Sequence, residues 1–194
     1  MQKMILPVVF ILSVFGLLVL NRFDVRPKVP VTVLRDTGLT YVIGHEFKQG
    51  ETVQTIKGEF VEISIDSIGT VTLDENTNLE LKSLVQNDLR LKFGHGRILT
   101  RVTDTESTLR VDTPTTQTLL NKSNATFIGY DFKQQTSVIP LSGSVKTTIP
   151  LLNQTFELTN PITIQDINPP IVENISFDEK TDTRKEFYAW AAQK

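Results

Sequence analysis

From Val31 to about Gln165 the chain is written with a period of two, and that pattern restricts it to strands. Phe60-Val61-Glu62-Ile63-Ser64-Ile65, Asn78-Leu79-Glu80-Leu81 and Asp88-Leu89-Arg90-Leu91-Lys92-Phe93 each set apolar side chains two apart. A strand with one buried face needs that spacing, whereas a helix needs three or four. Shorter runs of the same kind occur at Leu109-Arg110-Val111, Thr126 to Tyr130 and Val138 to Leu141. Ser67-Ile68-Gly69, Asn87-Asp88, Gly94-His95-Gly96 and Ser142-Gly143 separate them and read as tight turns. Strands recurring at about ten-residue intervals predict an all-β domain, either an antiparallel sandwich or barrel or a solenoid-like roll. Leu79, Leu81, Leu89, Leu91, Val111, Phe127 and Val145 are the expected inward-facing residues.

The N-terminus is different. Met4 to Leu20 reads MILPVVFILSVFGLLVL, uncharged, with thirteen of seventeen residues Ile, Leu, Val or Phe. At mid-bilayer those thirteen favour insertion by roughly 4 to 8 kcal/mol. Seventeen residues at helical rise span about 25 Å, the short end of a membrane-crossing helix. A cleavable signal peptide would end at a small-x-small site. Leu20 is instead followed by Asn21-Arg22-Phe23-Asp24-Val25-Arg26, so the segment reads as an uncleaved anchor. Arg22, Arg26, Lys28 and Arg35 follow it while only Lys3 precedes it. By charge count alone, that arrangement leaves the C-terminal part in the cytoplasm.

The expected organisation is an anchor at residues 1–22, a stalk at 23–30, a β domain at 31–166, and a proline-containing linker with a tail at 167–194. In the tail, Phe187, Trp190 and Ala191 share a helical face and Asp182 is a candidate N-cap, predicting a short C-terminal helix. Phe187, Tyr188 and Trp190 form the densest aromatic cluster. They read either as a docking helix for a partner, since aromatic anchors are favoured at interfaces, or as a lid packed back on the sheet.

Ordered pieces between Lys57 and Thr148 resemble the FecR domain family. Gly69-Thr70-Val71-Thr72-Leu73-Asp74-Glu75-Asn76-Thr77-Asn78-Leu79-Glu80-Leu81 is similar to its glycine turn, alternating strand, Asn-Thr and second strand. Leu89, Leu91, Gly96, Arg97 and Val102 follow its L-x-L…G-R…V run. Val111-Asp112-Thr113-Pro114 resembles V-x-T-P, and Leu141-Ser142-Gly143-Ser144-Val145 resembles its closing L-x-G-x-V. One piece departs: many members carry Gly-Thr-x-Phe where Asn124-Ala125-Thr126-Phe127 stands. The members that named the family have an anti-sigma region before their membrane helix, and only Met1-Gln2-Lys3 stands there in this chain. The resemblance therefore implies an exported, membrane-anchored β module without sigma-factor control, an orientation opposed to the charge count. A lipopolysaccharide-transport bridge, which combines one helix with a β-jelly-roll, is similar in architecture alone.

Little here points to catalysis. There is no cysteine, which excludes disulfides, thiolate metal sites and cysteine nucleophiles. His45 and His95 have no carboxylate at ligand spacing. Asp74-Glu75 and Asp178-Glu179 are adjacent pairs, which a strand points to opposite faces. Twenty basic and twenty-two acidic residues leave a net charge of −2, with no basic stripe for nucleic acid. The expectation is a non-enzymatic interaction, sensing or scaffold module in the cell (inner) membrane, with its domain outside the cytoplasm. It binds a membrane through residues 4–20 and a protein partner, with no cofactor, metal, catalytic residue or nucleic acid.

Overall fold

The computed structural model describes residues 27–103, 107–121, 124–131 and 134–193, so the Met4–Leu20 segment lies outside the described residues. Among the described residues, no helix is long and apolar enough to cross a membrane. In chain order the strands begin with β1 (Val31–Asp36), β2 (Glu46–Phe47), β3 (Thr52–Gln54), β4 (Val61–Ile65) and β5 (Gly69–Leu73). They continue through β6 (Asn78–Val85), β7 (Asp88–Val102), β8 (Leu109–Asp112), β9 (Gln117–Leu120) and β10 (Asn124–Asp131). Last come β11 (Gln135–Ser142), β12 (Val145–Ile149), β13 (Gln154–Leu158), β14 (Ile162–Gln165) and β15 (Ile171–Asn174), then helix α1 (Lys185–Ala192). The expected all-β domain with one short C-terminal helix is therefore present, as an open sheet.

That sheet is folded into two wings by β7. Asp88–His95 pairs with β6 and, in parallel, with β8, which leads on to β9, β12 and β13. Beyond Gly96 the same strand pairs with β5 and β10, in a wing that runs from β2, β1 and β4 across to β11, β14 and β15. Gly94-His95-Gly96 is thus the corner of one continuous strand, where the sequence suggested a turn between two. Gly96 has φ +102°, and a Cβ there would lie 2.6 Å from the Thr77 Cα. The Thr77 hydroxyl accepts from the Arg97 N–H at 3.1 Å, fastening the corner to the Asp74–Thr77 link between β5 and β6.

The N-terminal stretch marks the opposite pole. Val29 N–H donates to Leu84 O, Gln86 N–H to Pro27 O and Asp66 N–H to Pro30 O, so the turns of both wings converge on residues 27–30. Between the wings lies the main core. It joins Val33, Val61, Ile63, Val71, Leu73, Ile98 and Ile128 of the second wing to Leu79, Leu81, Leu91, Val111, Val145 and Ile149 of the first. Two buried inner-face contacts involve threonines: the Thr118 and Thr147 hydroxyls meet at 3.2 Å, and the Thr100 hydroxyl donates to the Thr126 backbone carbonyl at 3.0 Å. All seven expected core residues are buried. Phe127, however, belongs to a second cluster on the outer face of the second wing, because its neighbour Ile128 takes the inner position.

The Pro169-Pro170 stretch, expected as a linker leaving the domain, leads instead into β15, which pairs antiparallel with β14. Gly96→Ala is expected to cost about 1–3 kcal/mol, since the new Cβ meets backbone and the φ is one that L-residues avoid. Leu91→Ala, at full burial, is expected to cost about 2–5 kcal/mol. Denaturant melts of the two variants check both values.

Candidate functional site

The outer face of the second wing carries one row of side chains. Register places Arg35, Glu62, Thr72, Leu99, Phe127 and Ile139 side by side across β1, β4, β5, β7, β10 and β11. Half of this row is apolar, and α1 covers it. Phe187, Tyr188 and Ala191 are buried against Leu99, Phe127 and Ile139, with Phe60, Leu141, Ile175 and Phe177 around them. Phe127 and Tyr188 meet edge to face at 5.6 Å, and Phe60 and Phe187 at 5.8 Å. Of the aromatic cluster singled out in the sequence, Phe187 and Tyr188 point into the sheet. Trp190 stays half-buried at the rim, beside Phe60 at 5.6 Å.

Charged residues tie the helix at both ends. At its last turn the Arg35 guanidinium lies 4.3 Å from the centre of the Trp190 ring and donates to Trp190 O at 3.3 Å. Arg35 Nε also donates to the Glu62 carboxylate at 2.6 Å. A cation suits this position, because the last carbonyls of a helix are the negative end of its dipole. At the first turn Arg184 is the residue before the helix, and no side chain caps it. The expected cap, Asp182, sits two residues earlier and accepts from Arg184 N–H at 2.8 Å. The Arg184 guanidinium bonds to Glu75 and lies 3.7 Å from Asp74.

The first-turn cluster is at the β7 corner. Asp74 N–H donates to Arg97 O at 2.9 Å, and Arg97 lies 3.8 Å from Asp182. Burial pushes the Asp74 carboxyl above the usual range, against the pull of Arg184 and Arg97. Glu75 is held below its usual range by the Gly58 N–H and by Arg184. Burial also raises the Tyr188 hydroxyl, which finds no hydrogen-bond partner among the described residues. A cleft of about 540 Å³ opens beside this cluster, lined among others by Asp74, Glu75, His95, Arg97, Tyr130 and Arg184. His45 is not there; it packs edge-on against Phe47 at 4.8 Å. Asp178 and Glu179 lie in the exposed tail. Among the described residues no group of three or more His, Asp or Glu is placed to hold a metal.

A second surface, unmarked by the sequence reading, is the β1–β2 loop. Leu39, Val42 and Ile43 are 89%, 77% and 69% exposed, and Ile56 is 66% exposed on the neighbouring loop. The loop is held in shape: the Asp36 carboxylate accepts from Gly38 and Tyr41 N–H, both at 2.7 Å. The Tyr41 hydroxyl accepts from Gln54 N–H at 2.9 Å and donates to Gln54 O at 3.1 Å. Leu39 has φ +61°, a left-handed conformation costing an L-residue roughly 1–2 kcal/mol.

With this geometry in place, comparison with known proteins gives a consistent picture. Residues 51–146 match the FecR protein family, close to the span carrying the ordered sequence pieces. The fold is similar to two crystal structures of a candidate anti-sigma factor from Parabacteroides distasonis, with TM-scores of 0.57 and 0.56 at 14% identity. The likeness covers 68% of this chain and 63% and 62% of theirs, so the chain spans less than two thirds of their length. No curated protein matches the chain by sequence.

Phe187→Ala is expected to cost about 3–5 kcal/mol and to loosen the helix, whereas Tyr188→Phe, which deletes an unpartnered hydroxyl, should melt no lower than wild type. Thermal melts separate the two. Glu75→Gln should cost at most about 1 kcal/mol at neutral pH, because Arg184 is one-third exposed. Since Glu75 is lowered on folding, its contribution is complete above its unfolded value near 4.5 and fades as pH falls further. Melting curves of variant and wild type should therefore converge below pH 4.5.

Proposed function

Because residues 51–146 are a FecR domain, we propose that the chain is a regulatory or sensing module that acts by binding a protein, without catalysis. In this reading residues 4–20 anchor it in the cell membrane and the β domain stands outside the cytoplasm. The family match carries the reading, and the likeness to a candidate anti-sigma factor supports action through protein contacts. The sheet offers a means. Among the described residues β2, β3, β13 and β15 each pair on one side only, leaving backbone groups for strand addition. The rim formed by Trp190 and Arg35 is a second contact candidate, with aromatic and guanidinium groups half-exposed together.

The charged groups at the corner support a structural role. Arg184, Glu75 and Asp74 are engaged with one another and with the backbone, and together they tie the tail to the sheet.

Protease added to intact cells or spheroplasts should digest the chain from Val31 onward. Complete protection until the membrane is lysed would overturn the outward placement. His45→Ala and His95→Ala should leave a cell-based assay and the melting curve unchanged; loss of function with an unaltered melt would overturn the non-catalytic reading.

A further inference from the structure

The β1–β2 loop shows Leu39, Val42 and Ile43 to solvent while spending hydrogen bonds on keeping its own shape. Folding explains none of the three side chains. They add nothing to either core cluster, and Leu39 stands in a backbone conformation that asparagine or glycine would adopt with less strain. Ile56 extends the same apolar group from the loop before β4. A protruding, pre-shaped set of aliphatic side chains has its effect where water is absent.

We infer that this loop inserts into the lipid bilayer that holds the anchor, so that the domain lies down on its own membrane. The inference rests on the anchoring reading given above. Area argues against a second copy of the chain: four side chains fall far short of the roughly 20–30 residues a side that a standard interface uses. A bilayer needs no complementary shape and accepts separate aliphatic side chains. It is also the one apolar phase that the sequence itself brings near, through Met4–Leu20. Reach permits it. The loop follows β1, whose six residues span about 20 Å from the pole where the chain enters. Residues 21–26 between anchor and domain can extend at most about 20 Å. Tethering at that range gives a weak insertion a high effective concentration, so few side chains suffice.

The absence of cysteine allows the full chain to be labelled at single sites. Thr40→Cys in the loop, Phe10→Cys in the anchor and Glu157→Cys on β13 would each carry an environment-sensitive fluorophore. The chain is reconstituted in phosphatidylcholine–phosphatidylglycerol vesicles with or without brominated acyl chains. The loop label should emit at shorter wavelength than the β13 label and lose intensity with brominated lipid. Replacing Leu39→Asn, Val42→Ser and Ile43→Ser together should abolish that loss without lowering the melting temperature. An unquenched loop label beside a quenched anchor label would overturn the insertion and leave the anchoring intact. An unquenched anchor label would overturn the anchoring, and the loop label would then report insertion independently. Quenching that survives the triple substitution would overturn the role given to these side chains.

Discussion

Everything in this fold turns on one strand serving two wings. β7 pairs with β6 and β8 over its first half and with β5 and β10 over its second. A sheet folded over on itself in this way must bring two backbone segments close at the crease, and Gly96 against Thr77 is that approach. The Thr77 hydroxyl, accepting from Arg97 N–H, supplies the hydrogen bond that a straight ladder would have supplied. Once the crease is set, the inner faces oppose each other and the leucines and valines of the period-two runs form one core. The same crease gathers Asp74, Glu75 and Arg97 at one pole, where Arg184 finds its carboxylate partners.

The second wing differs from the first in being apolar on part of both faces. Ile98 and Ile128 look inward while their neighbours Leu99 and Phe127 look outward. Outward apolar residues must be covered, and the tail does this. An eight-residue helix is marginal in water by itself, so α1 owes its existence to the face it covers. Burying a Phe-sized side chain is worth about 1.5–3 kcal/mol, which makes Phe187 the main attachment, with the charged ties at each end setting position.

Period-two spacing made the strands legible, because it reports directly which residues share a face. It does not report which of the two faces is the core: the pattern alone lets Phe127 face inward, whereas register puts it beside Leu99 under the helix. Glycine flanking His95 looked like a turn, since a tight turn and a sharp crease in a strand both need residues without side chains. Pro169-Pro170 looked like a linker for the same reason: proline marks an interruption and leaves open whether the chain returns. The tail cluster was visible as a cluster, and the choice between packing and docking required the sheet beneath it. Asp74 and Arg184 are 110 residues apart in sequence, and no local pattern pairs them. Leu39, Val42 and Ile43 are the harder case, because apolar residues beside a strand look like more strand; only their exposure distinguishes them.

The exposed loop and the tail are not independent surfaces. Ile56 belongs to the apolar group at the pole, and two residues on, the Gly58 N–H donates to Glu75 at 2.8 Å. Glu75 in turn holds Arg184, the residue at which α1 begins. A displacement of the Ile56–Gly58 segment therefore pulls on the group that fastens the helix. Contiguity of this kind transmits a signal only if the helix has a second stable arrangement. Two groups at the helix's attachment are buried: the Tyr188 hydroxyl has no partner among the described residues, and burial raises the Asp74 carboxyl. Phe187 buried in the sheet and charged ties at both ends favour one arrangement, and the chain of contacts from Gly58 through Glu75 to Arg184 serves to fix it.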